Sequence, residues 1–354
     1  MATSPFSDPG AVNLYSDTQT RPTPGMRRAI AEAVVGDEQQ FADPTTLELE
    51  RRVAELLGHE AAVFLPSGTM CNEIALRLHV RPGGDEVLAH RTSHIVTSEA
   101  GGPAILAGAT VSALDGDGGT FTADAVREAV RPPGRRHSPR TRLVCVEQTS
   151  NLGGGRVWPL AQIEEVHAAA AEHELLTHLD GARLLNASIA SGIEPAAYAA
   201  PFTTAWIDFS KGLGAPVGAA LAGPAALIEE AWRFKQMWGG AMRQSGVLAA
   251  ACLYALDHHV ARLHEDHENA RALAEGLGDL DGVTIDLDAI ETNIVFFEVP
   301  DAPALTEALR RDGILVGAYG RHRIRAVTHL DVDRAGIERA LASVAAHLRA
   351  GVAR

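Results

Sequence analysis

The sequence predicts an α/β protein: a mostly parallel sheet with helices packed on both faces, followed by a smaller α/β domain. Two observations carry this. Short apolar or β-branched runs alternate with longer segments whose apolar residues recur at helical spacing, as parallel strands joined by crossover helices require. The chain is also 354 residues long and 46% hydrophobic, enough for a large core and more than one domain.

In chain order, strand-like runs fall at Ala61–Leu65, 86–89, 142–147, 175–179, 205–209 and 217–221, and Leu160–Glu172 shows helical periodicity between two of them. A long helical stretch at 245–277 leads to shorter strand candidates at 283–285, 294–299, 314–316 and 324–327, alternating with helices. The expected division is an N-terminal arm (1–20), a large domain (21–255) and a small C-terminal α/β domain (256–354). Residues 131–140 read as a basic, Pro-rich surface loop, and no internal repeat or low-complexity tract is visible.

Composition narrows the partners. A net charge of −14 argues against nucleic acid or an anionic membrane surface as the main partner. The opening MATSPFSDPG is polar and Pro-broken, unlike a secretory signal, and no apolar run reaches the ~20 residues of a membrane helix. Cys71, Cys145 and Cys252 are odd in number and set far apart among apolar residues. They read as free thiols of a reducing compartment, so a cytoplasmic protein is expected. His258, His259, His264 and His267 cluster with Asp266 and Glu268, but His264-Glu-Asp-His267 is one residue short of the His-Glu-x-x-His zinc pattern. A solvated helix face is expected there, with no metal.

In open parallel sheets ligands bind beyond the carboxyl ends of the strands. Asp180, Arg183 and Lys211 all follow strand-like runs. Alone, Asp180 reads as a helix cap and Arg183 as its surface partner. Lys211 is less easily explained that way: it follows "DFS" and precedes "GLG", where glycines let a bulky planar group approach the backbone. In "LPSGTM", Ser67, Gly68 and Thr69 put hydroxyls and free N–H groups at a helix N-terminus, a site suited to phosphate. His94 follows a further strand and offers an aromatic face. A lysine, a carboxylate and a phosphate cradle on successive strand ends are what pyridoxal 5′-phosphate requires: an amine to join its aldehyde, an anion for its pyridine nitrogen, and donors for its phosphate.

The stretches "SDTQTRPTPGMRRA", "DPTTLELERRVAELLGHEAAVFLPSGTMCN", "SHIVTSEAGGPAIL", "HLDGARLLNA", "FSKGLGAPVG", "GGAMRQSGVLAAACLYAL" and "IRAVTHLDV" together resemble the low-specificity L-threonine aldolases. These are fold-type I, aminotransferase-like pyridoxal-phosphate enzymes related to the aromatic amino acid β-eliminating lyases. The resemblance covers nearly the whole chain. It implies that Lys211 joins the cofactor, Asp180 pairs with the pyridine nitrogen, His94 stacks on the ring, and Gly68 and Thr69 hold the phosphate, with Ser67 beside them. It also implies that Ser16, Arg183 and Arg325 hold the substrate carboxylate. The implied reaction cleaves a β-hydroxy-α-amino acid to glycine and an aldehyde; a β-eliminating lyase is the alternative on the same scaffold. The implied assembly is a homodimer or homotetramer with active sites shared between subunits.

The chain departs from the family in places. Relatives usually carry a histidine near the substrate hydroxyl where this chain has Ser150, so His94 or a bound water is expected to take the hydroxyl proton and Ser150 to border the side-chain pocket. A lysine that often reaches the phosphate from a neighbouring subunit aligns with Gln236, although Arg243 remains. Tyr15 replaces the usual Arg.

Overall fold

The computed structural model describes residues 8 and 10–351. The start of the expected N-terminal arm, residues 1–7 and 9, lies outside the described residues, as do 352–354. The strands in chain order are β1 (Val12–Asn13), β2 (Ala61–Leu65), β3 (Glu86–His90), β4 (Thr110–Leu114), β5 (Thr141–Glu147), β6 (Leu176–Gly181), β7 (Thr204–Asp208), β8 (Ala219–Gly223), β9 (Ile294–Glu298), β10 (Ile314–Leu315), β11 (Gly317–Tyr319) and β12 (Arg323–Val327). Seven of them form the central sheet in the order β2-β8-β7-β6-β5-β3-β4. Only β8 runs against its neighbours; the other six share one direction.

The period-two geometry of a strand separates the two layers of core. In β2, Ala62 and Phe64 join the cluster under helices Pro44–Leu57, Leu160–Glu172 and Gly246–His258, while Val63 and Leu65 pack with Gly68–His79 and Ala225–Met237 on the opposite face. Both faces are covered, which is why the strands read as unbroken apolar runs rather than alternating ones.

A three-stranded antiparallel sheet, β11-β12-β9, buries Val295, Phe297, Ile324 and Ala326 against helices Leu263–Gly278, Ala302–Arg311 and Arg334–Arg349. Alternation turns Arg325 away from that core. The N-terminal segment is fastened here: Val12 and Asn13 pair in parallel with Ile314 and Leu315, and Leu14 accepts from the Val327 N–H at 2.8 Å.

Three sequence expectations differ from the structure. The expected strand at 283–285 is a single bridge from Thr284 to Glu298, because Asp286 then caps a 3₁₀ turn through the Asp288 N–H and bends the chain away. The helical stretch 245–277 is two helices, parted after His258, where His259 donates from Nδ1 to the Leu213 carbonyl at 2.7 Å. The 217–221 run begins two residues later, at Ala219, since Gly218 sits at φ +129° against Phe64. No helix among the described residues is long and apolar enough to cross a membrane.

Candidate active site

The carboxyl ends of β2, β7, β6, β5 and β3 lie at one edge of the central sheet, and the polar residues that follow them converge on a cavity of about 380 Å³. Ser67, Gly68 and Thr69 arrive from β2, Lys211 from β7, Asp180 and Arg183 from β6, Glu147 from β5 and His94 from β3. The N-terminal segment adds Ser16 and Thr18, and the small sheet adds Tyr319 and Arg325.

At the β2 end, Ser67 caps the helix Gly68–His79 by accepting the Met70 N–H at 3.2 Å. The N–H groups of Gly68 and Thr69 precede the first hydrogen bond within the helix, Cys71 to Ser67, as do the N–H groups that bind anions at other helix N-termini. A Cβ at Gly68 would stand 2.2 Å from the Trp206 ring, which makes glycine the residue that position accepts. Lys211 extends its Nζ to within 2.8 Å of Asp208 Oδ2. Asp208 Oδ1 is held in turn by the Ser210 N–H and hydroxyl, at 2.8 and 2.7 Å.

Asp180 is buried and accepts the Ala182 N–H on Oδ1 and the Asn72 amide on Oδ2, at 3.1 and 2.8 Å. His94 shares a 2.6 Å hydrogen bond from Nδ1 to Glu99 Oε1. Burial pulls the His94 pKa down, but the Glu99 hydrogen bond and the charges of Asp180 and Glu99 outweigh it, so it lies above the ordinary 6.5. Glu147 accepts the N–H groups of His94 and Asn151 at 2.6 and 2.8 Å. Burial, reinforced by the Asp180 charge, pushes its carboxyl up to about 7.

At the opposite end, Arg183 is buried in a two-pronged contact with Asp17, Nε and Nη2 each 2.7 Å from a carboxylate oxygen. Arg325 is bound by neutral oxygens instead: Asn151 Oδ1 at 3.0 Å and the Tyr15 carbonyl at 3.3 Å. Its buried Nε has no hydrogen-bond partner among the described residues. One carboxylate between two guanidiniums leaves a local excess of one positive charge, so this end suits a monoanion.

The cavity therefore gathers Ser16, Ser67, Gly68, Thr69, His94, Asp180, Arg183, Lys211 and Arg325. It does not gather Ser150 or Arg243. Ser150 Oγ is packed so tightly beside two glycines that a Cβ at Gly119 or Gly153 would stand 1.8 or 2.6 Å from it, and Ser150 is absent from the cavity wall. Thr149 and Asn151 line the cavity, whereas Ser150, expected beside the side-chain pocket, is not part of its wall. Arg243 is exposed, 3.1 Å from Asp37. Asp17, Asn72, Glu99, Glu147 and Asp208 escaped the sequence reading. For Asp208 and Glu147 the signal was present, an acidic residue closing an apolar strand run. For Asn72 and Glu99, both on helical or looped stretches, nothing local set them apart.

The histidines of the 258–267 cluster do not converge: His259 bonds the Leu213 carbonyl, His264 the Ala261 carbonyl and His267 the Asn186 amide. No group of three metal-ligating side chains occurs among the described residues.

Fold and site together define the class: a three-layered α/β enzyme with a lysine, a carboxylate and an anion cradle beyond the carboxyl ends of a mostly parallel sheet. The sequence profile of the β-eliminating lyases matches residues 13–300. A probable low-specificity L-threonine aldolase 2 of Arabidopsis thaliana is 41% identical over 334 residues, 92% of this chain and 94% of its own. The low specificity L-threonine aldolase of Escherichia coli is 41% identical over 349 residues, 97% of this chain and 100% of its own. The chain belongs to the β-eliminating lyase family, among its low-specificity L-threonine aldolases. The fold is shared with a threonine aldolase of Leishmania major at a TM-score of 0.83 and 22% identity, over 96% of this chain and 99% of that one.

Proposed function

We propose that the chain is a pyridoxal-phosphate-dependent aldolase that cleaves the Cα–Cβ bond of a β-hydroxy-α-amino acid, releasing glycine and an aldehyde. One observation carries the reading: a single cavity holds the Lys211 amine and the Asp180 carboxylate at one end and Arg325, without a carboxylate partner, at the other. The residues fit the cofactor. Lys211 supplies the amine for its aldehyde, Asp180 holds the proton on its ring nitrogen, and Gly68, Thr69 and Ser67 present N–H and hydroxyl groups to its phosphate at a wall with no room for a side chain. When bound, the group supplies the sink for the electrons of the broken bond.

The protein's own residues do the rest. Arg325, beside the Arg183–Asp17 pair, clamps the substrate carboxylate and so fixes the rotation of the scissile bond. With its Nδ1 proton given to Glu99, His94 has Nε2 as the acceptor for the β-hydroxyl proton. Glu147 fixes the turn carrying His94 by accepting its N–H. Threonine, allo-threonine and bulkier analogues are the substrate class.

The reading includes a homodimer or homotetramer in which Arg243 completes a neighbouring subunit's phosphate site. Three buried free cysteines support a cytoplasmic setting.

The test is direct. With added pyridoxal phosphate the protein should turn yellow, borohydride should bleach it and tag Lys211 alone, and threonine, allo-threonine and the phenylserine diastereomers should yield glycine with the matching aldehyde. A protein that takes up no cofactor overturns the reading. Release of pyruvate and ammonia without aldehyde assigns the β-eliminating reaction instead.

A further inference from the structure

Asn72 lies outside the cavity wall, fully buried in the first turns of the helix Gly68–His79. Its side chain meets four groups from three parts of the chain: β6, β7 and the loop at Glu99. The amide oxygen is 2.7 Å from Trp206 Nε1 and 3.2 Å from His178 Nε2. The amide nitrogen is 2.8 Å from Asp180 Oδ2 and 2.9 Å from Glu99 Oε1. An indole N–H only donates and an ionised carboxylate only accepts, so the amide can face one way. Two lone pairs and two hydrogens are all it has, and four neighbours use them all. His178 fits its part: burial, with His79 beside it, holds its pKa at about 3, so its ring is neutral.

Two carboxylates that close together repel unless a donor lies between them, and here one NH₂ serves both. Glu99 Oε1 also receives the His94 Nδ1 proton. The residue expected to meet the cofactor's ring nitrogen and the residue expected to lie on its face therefore share one hub.

We propose that Asn72 is a positioning residue that aims the Asp180 carboxylate at the cofactor's ring nitrogen and locks it to the His94–Glu99 pair. The proposal rests on the cofactor reading above. Asn72 acts through Asp180, so its loss should weaken recognition of the ring nitrogen in particular, not of the cofactor in general.

The experiment compares binding of pyridoxal phosphate with that of its deaza analogue, which carries carbon in place of the ring nitrogen, to the full chain freed of cofactor. Wild type should prefer pyridoxal phosphate by at least about tenfold, the size of one charge-assisted hydrogen bond. Asp180→Ala should erase the preference and Asn72→Ala should remove most of it, whereas a merely structural role would weaken both ligands alike. If Asn72→Ala does not fold, Trp206→Phe carries the test, since it removes the bond that orients the amide and keeps an aromatic ring. Its preference should also fall. An undiminished preference in a folded Asn72→Ala protein, or in Trp206→Phe where Asn72→Ala fails to fold, overturns the proposal while leaving the cofactor reading intact. A wild type that binds neither ligand overturns the cofactor reading, and this inference with it.

Discussion

Asp17→Asn probes the Arg183 end of the cavity through stability rather than turnover. Arg183 donates to both oxygens of Asp17 at 2.7 Å, with the two side chains 5% and 0% exposed, and Asn293 adds a 3.1 Å bond. Burial works to raise the Asp17 pKa, but the Arg183 charge and hydrogen bonds overcome it and hold the carboxyl well below its ordinary 3.8. Asparagine has nearly the same volume, so no cavity opens. What changes is that Arg183 stays buried without its counter-ion. Breaking such a pair by removing one partner costs about 3–5 kcal/mol. The sign with pH follows from the depressed folded pKa: the stabilisation is fully present above the unfolded value of 3.8 and is lost as pH falls below it. Urea unfolding of wild type and variant, at neutral pH and at steps into the acid range, should give a gap of about 3–5 kcal/mol that narrows below about pH 4. A gap under about 1 kcal/mol at neutral pH, the worth of an exposed pair, or one that widens on acidification, would refute the argument.

Three further outcomes are expected. Arg325→Ala should lower kcat/KM by about 10–100-fold, the worth of a hydrogen bond to a charged group, with the cofactor's absorbance retained; unchanged kinetics would remove Arg325 from the clamp. Glu99→Gln should shift the acid limb of the pH–rate profile to lower pH, because the Glu99 hydrogen bond and charge hold the His94 pKa above 6.5, and should lower the plateau rate as the base weakens; a limb that stays put would dismiss His94 as the base. Ser150→Ala should change kcat/KM less than about twofold for every diastereomer, since no interaction with substrate is lost, whereas Ser150→His should destabilise the fold by forcing a ring against Gly119 and Gly153. A change in diastereomer preference in Ser150→Ala would restore the residue to the pocket.

The parts of the site legible in the sequence were those set by local chemistry. Lys211 between small residues, Asp180 closing an apolar run and the hydroxyl-rich turn at Ser67 to Thr69 each break a pattern that packing alone would have continued. The central strands were legible for the same reason, as their burial on both faces makes them apolar throughout. What escaped depended on partners far away in sequence. Asp17 owes its role to Arg183, 166 residues on, and Asn72 to Asp180, 108 residues on; neither separation leaves a periodic trace. The direction of β8 was equally hidden, because a strand buried on both faces reads alike whichever way it runs. Ser150 is a different case. Its neighbours Thr149 and Asn151 line the cavity, and the three residues lie where the chain bends and turns after β5, so no periodicity in the sequence says which of them faces inward.

The parallel pairing of Val12 and Asn13 with Ile314 and Leu315, and the clasp of Leu14 by Val327, set the order in which the site can be completed as the chain is made. Ser16, Asp17 and Thr18 leave the ribosome well before the strands that anchor them, which emerge some 300 residues later. The seven-stranded sheet, finished at Gly223, can assemble the cofactor end of the cavity while the substrate end is still unbuilt. Contacts so distant in sequence form late, after the more local ones have condensed. A nascent or truncated chain ending before β10 would therefore have Lys211 and the Ser67–Thr69 turn without the anchored segment that pairs Arg183.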